Sequence, residues 1–431
     1  MAKIVFVLDH EEGHLLSTFK LARQLRDRGH TVTYLGLEDS APLVSRQGFE
    51  LVPILSQAFP RGSTSRWRSE KEGLYATASA RESGPRAHEF YDRYLGTLAR
   101  GEGLDGPVRS VQPDLFLLNS IMAANALVLH YRFDIPIVLL TPHLRVLDRQ
   151  QMIEGLEGSL MRLSSATVGL SELVRRKNPA ARRLREITAP LLRMPELVQC
   201  PRDFDLPHAG QEEPEVHYIE PSLDMSRRDD RPFPWDRLDP AKKLLYVSLG
   251  SQCFLAGREV VGSFLRAVAA GAARRPEWQL VLSTGGLVEP ADLPLPADAL
   301  ALPWVPQIPL LQRASLMVNH GGVGTVKECV FLEVPMVSYP IGRDQPETVR
   351  RIVHHGLGLG GELAGATAEG IFSLIERVDR EPRFRDNVKR WSRRFHEAEE
   401  AALGVRRIEE VLARNGHAVG VPETVTQAAG G

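Results

Sequence analysis

Short runs of apolar residues alternate with stretches of helical spacing along most of the chain. The run at 3–8 is followed by Leu15, Phe19 and Ala22 at helical intervals, and then by another apolar run at 31–35. Continuous apolar runs bounded by turns are typical of strands buried on both faces, as in parallel sheets. The pattern therefore predicts an α/β protein in which strands and helices alternate.

The same alternation resumes in two later blocks. Further strands are predicted at 115–118, 137–140, 244–249, 279–284, 299–302, 316–319 and 336–339, and helices at 257–273, 324–332, 381–396 and 400–414. Residues 56–108 interrupt the rhythm with Arg, Ser, Gly and scattered aromatic residues, so we expect an insertion over a site there.

These blocks divide the chain into two domains and two connecting segments. Residues 216–243 are rich in Pro and charge, which is typical of a linker between domains. We therefore expect an N-terminal domain at 1–215, the linker at 216–243, a second domain at 244–395, and a C-terminal helix and tail at 396–431 that packs back on the first domain. The length of 431 residues agrees with two or three domains of about 150 residues each.

Composition and charge narrow the class of protein. The net charge is -1, which gives no electrostatic reason to expect nucleic acid or an anionic membrane as partner. The chain enters its first strand without a signal-type segment, and no apolar run approaches the ~18 residues of a membrane span. Cys200, Cys253 and Cys329 are far apart in sequence, which fits a reducing compartment and no cysteine-based metal site. We expect a cytoplasmic protein without a transmembrane segment.

The densest chemical signal is the segment NHGGVGTVKE at 319–328, between a predicted strand and a predicted helix. Glycines there let backbone N–H groups approach a ligand, and a helix N-terminus favours an anion. His320 adds a side-chain donor. The pattern indicates a diphosphate cradle, although a Gly-rich turn alone is as often a plain tight turn.

Neighbouring segments supply further ligand-binding side chains. Trp304 ends a strand and can stack on a base, Glu328 can accept from ribose hydroxyls, and Ser251 can meet a phosphate. Asp344 and Gln345 follow another strand and can bind sugar hydroxyls. Their structural alternatives are a core tryptophan, a solvated carboxylate and polar surface turns. All of these residues lie at the carboxyl ends of strands, where open α/β sheets bind ligands.

With these pieces in order, the chain resembles the GT-B glycosyltransferases that decorate natural products, a group that includes plant UDP-glycosyltransferases and bacterial macrolide glycosyltransferases. The resemblance covers Lys3 to about Asn415 and is strongest at 302–350. It implies two Rossmann-like domains facing across a cleft. It also implies a donor site made of Ser251, Trp304, Gln307, His320, Gly321, Gly322, Gly324, Thr325, Glu328, Asp344 and Gln345.

The first strand-to-helix turn, DHEEGH at 9–14, has carboxylates that would repel a pyrophosphate, so it suits acid–base chemistry better. By the resemblance, His14 is the general base, and His10 is the rival. The family usually has an Asp that orients this His, but Asn119 stands at its place. An amide oxygen can still accept the imidazole N–H, although it cannot stabilise an imidazolium as a carboxylate does.

Together these observations predict inverting, metal-independent transfer of a hexose from UDP-glucose or a dTDP-sugar to a small hydrophobic hydroxylated acceptor. The nucleotide-sugar is a co-substrate, and no cofactor or metal is expected. Candidate acceptor contacts are Trp67, Phe90, Tyr94, Met122 and His143. The pair Asp203 and Asp205 matches a metal-type D-x-D pattern but lies near the linker, away from the donor motifs.

Two alternatives remain beside this prediction. A catalytically impaired homologue that binds sugar-nucleotides or assists a partner enzyme is favoured by Asn119. A sugar-nucleotide epimerase is disfavoured by the expected acceptor pocket. The acceptor, the choice of UDP or dTDP and the oligomeric state are not determined by the sequence.

Overall fold

The computed structural model describes residues 1–7, 11–70, 85–145, 147–206, 213–227, 229 and 231–417, without the side chains of residues 67–70 and 85–88. No helix in these ranges is long and apolar enough to cross a membrane. The predicted residue His10 and the side chain of Trp67 lie outside the described part.

The first domain is built on a parallel sheet that has seven strands in the described ranges. The strands are β1 (Lys3–Val7), β2 (Thr31–Gly36), β3 (Glu50–Pro53), β4 (Leu115–Asn119), β5 (Ile137–Thr141), β6 (Glu196–Val198) and β7 (Val216–Tyr218). Their order is β3-β2-β1-β4-β5-β6-β7. The helices are α1 (Glu12–Leu16), α2 (Phe19–Asp27), α3 (Ala41–Arg46), α4 (Ser63–Glu70), α5 (Pro85–Arg100), α6 (Asp105–Val111), α7 (Ala123–Arg132), α8 (Arg149–Leu160), α9 (Ser164–Lys177) and α10 (Leu184–Thr188).

The second domain repeats the design with a parallel sheet that has six strands in the described ranges. These are β8 (Lys243–Ser248), β9 (Trp278–Ser283), β10 (Leu300–Leu302), β11 (Leu316–Asn319), β12 (Met336–Ser338) and β13 (Gly358–Gly360). Their order is β10-β9-β8-β11-β12-β13. The helices are α11 (Arg258–Ala272), α12 (Gln307–Leu311), α13 (Val323–Phe331), α14 (Gln345–His354), α15 (Ala368–Arg380), α16 (Pro382–Ala401) and α17 (Leu403–Arg414).

The predicted strands and the α/β class are confirmed, because long apolar runs became the central strands of both sheets. The expectation for 56–108 is wrong in part. Residues 85–100 and 105–111 are helices of the crossover from β3 to β4, and Leu95 and Leu98 of α5 pack in the core beneath this sheet. Phe90 and Tyr94, which the sequence placed in an insertion, belong to α5.

Two of the expected domain boundaries fall inside regular elements. Residues 216–218 form β7, hydrogen-bonded to β6 at the edge of the first sheet, so the connecting segment begins at 219. The expected boundary at 395 falls inside α16, which runs from Pro382 to Ala401. Trp391 and Phe395 pack on the second domain. One turn later, the Glu399 carboxylate accepts from the backbone N–H of Leu223 in the connecting segment.

The last helix lies against the first domain. Ile408 and Leu412 of α17 are buried in the same core as Ile4 and Phe6 of β1. The carboxylate of Glu409 binds the guanidinium of Arg28 through two bonds of 3.0 and 2.8 Å. Burial of one helix face and a two-bond ion pair hold the end of the chain on the domain where it began.

Buried charged groups join the two domains. The ammonium of Lys327 in α13 donates to the carbonyl oxygens of Pro142, Gln199 and Pro221 at 3.0, 2.8 and 3.3 Å. The guanidinium of Arg351 in α14 contacts the buried carboxylate of Asp205 at 2.8–2.9 Å. Because a buried charge is costly without partners, these contacts favour one arrangement of the domains over others.

Replacing Arg351 with methionine should destabilise the protein by about 3–5 kcal/mol, because Asp205 would remain buried without its cation. The adjacent Arg350 is a matched control, since its pair with Glu347 is 68% exposed on the arginine side. We expect Arg350→Met to change stability by less than about 1 kcal/mol. Urea unfolding followed by circular dichroism compares the two variants, and equal midpoints would contradict the role assigned to Arg351.

Candidate active site

A cleft of about 240 Å³ lies between the domains, at the carboxyl ends of the strands of both sheets. This is where ligands bind in open α/β folds. Its lining includes every predicted donor residue except Gly321, which lies in the same turn: Ser251, Trp304, Gln307, His320, Gly322, Gly324, Thr325, Glu328, Asp344 and Gln345. His14 and His143 line the same cleft from the first domain.

The Gly-rich turn connects β11 to α13 and leaves the start of the helix without a side-chain cap. Gly322 is the N-cap residue, and a glycine has no side chain that could cap the first N–H groups of α13. Asn319 shapes the turn from within, because its Oδ1 accepts from the N–H of Gly321 and the hydroxyl of Ser338, both at 2.8 Å. The N–H groups at the start of α13 and the positive end of the helix dipole suit a diphosphate.

His320 is packed edge-on between two glycines. A Cβ at Gly250 or at Gly322 would lie 2.4 Å from the imidazole, so neither position has room for a side chain. Burial lowers the pKa of His320 to about 4, against the opposing effect of Asp344. Its Nδ1 is buried and has no hydrogen-bond partner among the described residues. The ring is therefore a neutral imidazole with an unused polar atom at the diphosphate turn.

The end of the cleft around Trp304 and Glu328 is occupied by two arginines of the connecting segment, Arg227 and Arg231. Glu328 is not a free acceptor: its Oε1 pairs with Arg227, and its Oε2 accepts from Nε2 of Gln307 at 2.5 Å. The guanidinium of Arg231 lies 5.9 Å from the centre of the Trp304 ring. Trp304 and Glu328 thus bind basic side chains where the resemblance implies a base and a ribose.

The turn after β12 presents the candidate sugar-binding residues. Gln345 is buried, and its Oε1 accepts from the N–H groups of Ile341 and Gly342 at 2.7 and 3.2 Å. Asp344 is half-buried and lines the cleft. The preceding residue, Arg343, has a left-handed φ of 59° and binds Glu11 of the first domain. The turn is thereby fixed at both ends.

His14 and Asn119 face the same small gap beneath the cleft. Asn119 Oδ1 accepts from the N–H of Ile121 at 3.2 Å and caps the short helix after β4. Its Nδ2 is buried without a partner among the described residues. An amide oxygen can accept a second hydrogen bond, so acceptance of the imidazole N–H by Asn119 stays a prediction.

The acceptor-side candidates separate into two places. Phe90, Tyr94 and Met122 line an apolar cavity of about 310 Å³ in the first domain, and Tyr94 Oη accepts from Asn125 at 3.0 Å. His143 lies two residues after the end of β5 and lines the cleft instead of this cavity. Burial lowers the pKa of His143, while the nearby Asp344 carboxylate acts in the opposite direction.

Comparisons with known proteins agree with this geometry. Residues 233–416, which contain the second sheet and the last helices, match the family model "UDP-glucoronosyl and UDP-glucosyl transferase". Over 427 residues the chain is 27% identical to demethyllactenocin mycarosyltransferase of Streptomyces fradiae, covering 96% of this chain and 87% of that protein. The chain is a GT-B glycosyltransferase.

Solved structures of the same fold span nearly the whole glycosyltransferase. The structure of a kitacinnamycin glycosyltransferase superposes with a TM-score of 0.72, at 24% identity, over 95% of this chain and 99% of that chain. The structure of glycosyltransferase VinC in complex with dTDP superposes with a TM-score of 0.62, at 16% identity, over 96% and 100% of the two chains. At these identities the likeness concerns the fold.

The aspartates of the D-x-D pattern have structural partners in this glycosyltransferase. Asp205 binds Arg351 and also accepts from the N–H of Arg145 at 3.1 Å, while Asp203 pairs with Arg394. Within the described ranges, no group of three or more His, Cys, Asp or Glu side chains is placed to hold a metal ion. The pattern is accounted for by the contact between the domains.

Sequence reasoning missed the basic residues around the site. Lys327, Arg227, Arg231 and Arg343 all line the cleft. Lys327 lies within the segment at 319–328, and Arg343 directly precedes Asp344 and Gln345. Their positions beside predicted site residues could therefore have identified them. Arg227 and Arg231 lie in a charged stretch that resembles an ordinary linker, and only the folded arrangement reveals their partners.

Removing the His320 imidazole should weaken binding of UDP or dTDP to the glycosyltransferase. We expect His320→Ala to cost roughly 1.5–3 kcal/mol of binding free energy, the scale of a hydrogen bond to a charged group. Titration calorimetry measures this directly. His355→Ala is the control, because His355 bonds to the Phe204 carbonyl outside the cleft. Equal affinities in the two variants would remove His320 from the diphosphate site.

Proposed function

We propose that this glycosyltransferase moves a hexose from a nucleotide diphosphate sugar to a hydroxyl group of a small, largely apolar acceptor, with inversion at the anomeric carbon. The observation that carries the proposal is the shared cleft, in which His14 of the first domain faces the diphosphate turn and Asp344 of the second. A base and a leaving-group site on opposite walls suit an in-line displacement.

The proposed step assigns one role to each wall. His14 removes the proton of the acceptor hydroxyl as its oxygen bonds to the anomeric carbon. The bond from that carbon to the phosphate oxygen breaks, and the nucleoside diphosphate leaves with the electron pair. The N–H groups at the start of α13 and the His320 ring would stabilise its added charge. Attack opposite the leaving group inverts the anomeric configuration.

For the donor we propose UDP-glucose or a dTDP-sugar. The matching family is named for UDP-sugars, and one structural neighbour holds dTDP. Trp304 would stack on the base once Arg231 moves from its ring. Ribose hydroxyls would share the Glu328 carboxylate with Arg227, since each carboxylate oxygen can accept more than one hydrogen bond.

For the acceptor we propose a hydroxylated natural product whose apolar body enters the cavity beside α5. The cavity is lined by aromatic and aliphatic side chains, including Phe90 and Met122, with Asn125 as a polar residue. Apolar pockets with few polar groups are typical of sites for small hydrophobic ligands. A relative named as a mycarosyltransferase makes this class of acceptor a reasonable first choice.

The general-base role predicts a large effect of a single substitution. His14→Ala should slow transfer to an alcohol by about 10²–10⁴-fold and leave nucleotide affinity unchanged, because only proton removal is lost. His130→Ala is the control, since His130 lies on α7 and does not line the cleft. Turnover of His14→Ala equal to that of the control would place the base elsewhere, with His10 as the next residue to replace.

Metal independence predicts that chelators leave the reaction intact. At this turn the cleft is lined by the His320 ring, the Ser251 and Thr325 hydroxyls and the N–H groups at the start of α13, beside the Asp344 carboxylate. The ring, the hydroxyls and the N–H groups are donors that would stabilise the leaving group without a divalent cation. Transfer rates before and after EDTA treatment should agree, with or without added Mg²⁺ or Mn²⁺. Loss of activity with EDTA and recovery with either cation would contradict this.

Asn119, at the place where the resembling family usually has an aspartate, favours one second candidate, a sugar-nucleotide-binding homologue without transfer activity. Both candidates predict nucleotide binding, so binding alone does not separate them. Transfer from UDP-glucose or dTDP-glucose to a panel of phenols and macrolide aglycones does. Nucleotide binding without sugar transfer or donor hydrolysis would favour the auxiliary role.

A further inference from the structure

We propose that Glu11 is the positioning residue for His14, in the place of the carboxylate that this fold family carries where Asn119 stands. The inference rests on the proposed function, because it gives His14 its role as base. It adds a residue that the sequence pattern alone left among the acidic neighbours of the first turn. The ion pair of Glu11 with Arg343 then couples the base to the sugar-binding turn.

The first observation is the placement of the Glu11 carboxylate beside the imidazole. Oε2 of Glu11 lies 3.8 Å from Nδ1 of His14, and the Glu11 side chain is only 9% exposed. Glu11 is the N-cap residue of α1, and its carbonyl accepts from the N–H of His14 at 3.0 Å. Side chains three residues apart at a helix start lie on one side, so the backbone itself brings these two groups together.

The second observation is the cation that holds this carboxylate. Nη1 of Arg343 lies 2.7 Å from both oxygens of Glu11, across 332 residues of sequence. Arg343 has a left-handed φ of 59°, a conformation that a bulky residue adopts at a cost. Two short charge-assisted bonds fix the plane of the carboxylate, which leaves it facing His14.

The third observation is what Asn119 does instead. Its oxygen accepts from the N–H of Ile121 and caps the helix after β4, and its Nδ2 is an N–H donor. Nδ2 cannot accept the imidazole N–H, and Oδ1, already engaged by the backbone, is a neutral acceptor that stabilises an imidazolium less than a carboxylate does. Glu11 supplies such a carboxylate: with the imidazole proton on Nδ1 facing Glu11, the Nε2 lone pair would take the proton of the acceptor hydroxyl.

Other charged groups near His14 determine how much the Glu11 carboxylate can stabilise a protonated His14 ring. In the described ranges these include Arg343, which offsets part of the Glu11 charge, and Glu12, which lines the cleft and pairs with Arg231. His143 also interacts with both Asp344 and His14. The Glu11 contribution is therefore mainly orientation, with a smaller electrostatic part. A separation of 3.8 Å is an ion-pair contact, and catalytic hydrogen bonds often shorten when substrate binds.

In the proposed step the proton moves from the acceptor hydroxyl to Nε2 of His14. The imidazolium so formed is stabilised by Glu11 through Nδ1–H, while Arg343 remains paired to the same carboxylate. No further reactant is needed, because the sugar–phosphate bond breaks as the sugar–acceptor bond forms. The released nucleoside diphosphate carries away the negative charge.

The test compares Glu11→Gln with Glu409→Gln in the full-length enzyme. Glu409 is a matched control, because it is also a buried carboxylate between an arginine and a histidine, Arg28 and His30, but lies on α17. For Glu11→Gln we expect kcat for an aliphatic alcohol to fall about 10–100-fold, with a smaller loss for a phenol that needs less help from the base. Glu409→Gln should change neither.

The pH profile separates positioning from a loss of structure. A carboxylate favours a protonated imidazole, so its removal should shift the acid limb of kcat/KM to lower pH by roughly 0.5–1 pH unit. The His14 ring resonance, assigned by its absence in His14→Ala, should titrate at lower pH in Glu11→Gln by the same amount. This NMR measurement does not depend on transfer activity.

Each of the following results either supports or overturns the positioning role of Glu11. A slower alcohol reaction together with the shifted limb and titration supports the inference. Wild-type enzyme that transfers sugar, with Glu11→Gln behaving like Glu409→Gln, overturns it and leaves the proposed function standing. Wild-type protein that binds UDP and transfers sugar to nothing overturns the proposed function, and the catalytic role of Glu11 with it.

Discussion

The burial of one lysine sets the geometry on which the cleft depends. Lys327 is almost fully buried, and burial lowers the pKa of its ammonium to about 8. Its three carbonyl partners come from the first domain and from the connecting segment. Helix α13, which carries Lys327, begins at the diphosphate turn, and Pro142 directly precedes His143. One helix therefore fixes the Gly-rich turn of the second domain relative to His143 of the first.

Arginine–carboxylate pairs reinforce this arrangement at different depths. Arg351 and Asp205 are almost wholly buried and join the domains away from the cleft. Arg343 and Glu11 form the pair nearest to the proposed base, with the arginine 28% exposed. A buried pair is costly to break, whereas a partly exposed pair contributes less to stability. The first pair therefore fixes the domains to one another, and the second orients the Glu11 carboxylate beside His14.

The sequence predicted the elements whose signal is local. Long apolar runs identified the central strands, and the glycines near His320 identified the turn after β11, because period and composition report directly on such features. The strands β3, β6, β7 and β13 were missed, because each has only three or four residues and includes Glu, His or Gly, so none forms an apolar run. The cavity proposed for the acceptor was only partly anticipated, because Phe90 and Tyr94 look alike in sequence whether they pack or bind.

Partners separated by hundreds of residues could not be predicted in this way. Nothing in the segment around Arg227 indicates that it meets Glu328, and the capping role of Asn119 depends on the backbone that follows it. Local sequence fixes which residue types are present at a strand end. Only the packing of the two sheets decides which of them neutralise one another and which remain available to a ligand.

The chain crosses between the two domains twice, because its last helix, α17, returns to the first domain. The chain passes from the first domain to the second at 219–242 and comes back where α16 ends and α17 begins, at the left-handed Ala402. Two covalent crossings limit how far the domains can separate or rotate about one another. Any widening of the cleft is therefore restricted to hinge motion about these two segments, and it would have to break the buried contacts of Lys327 or Arg351.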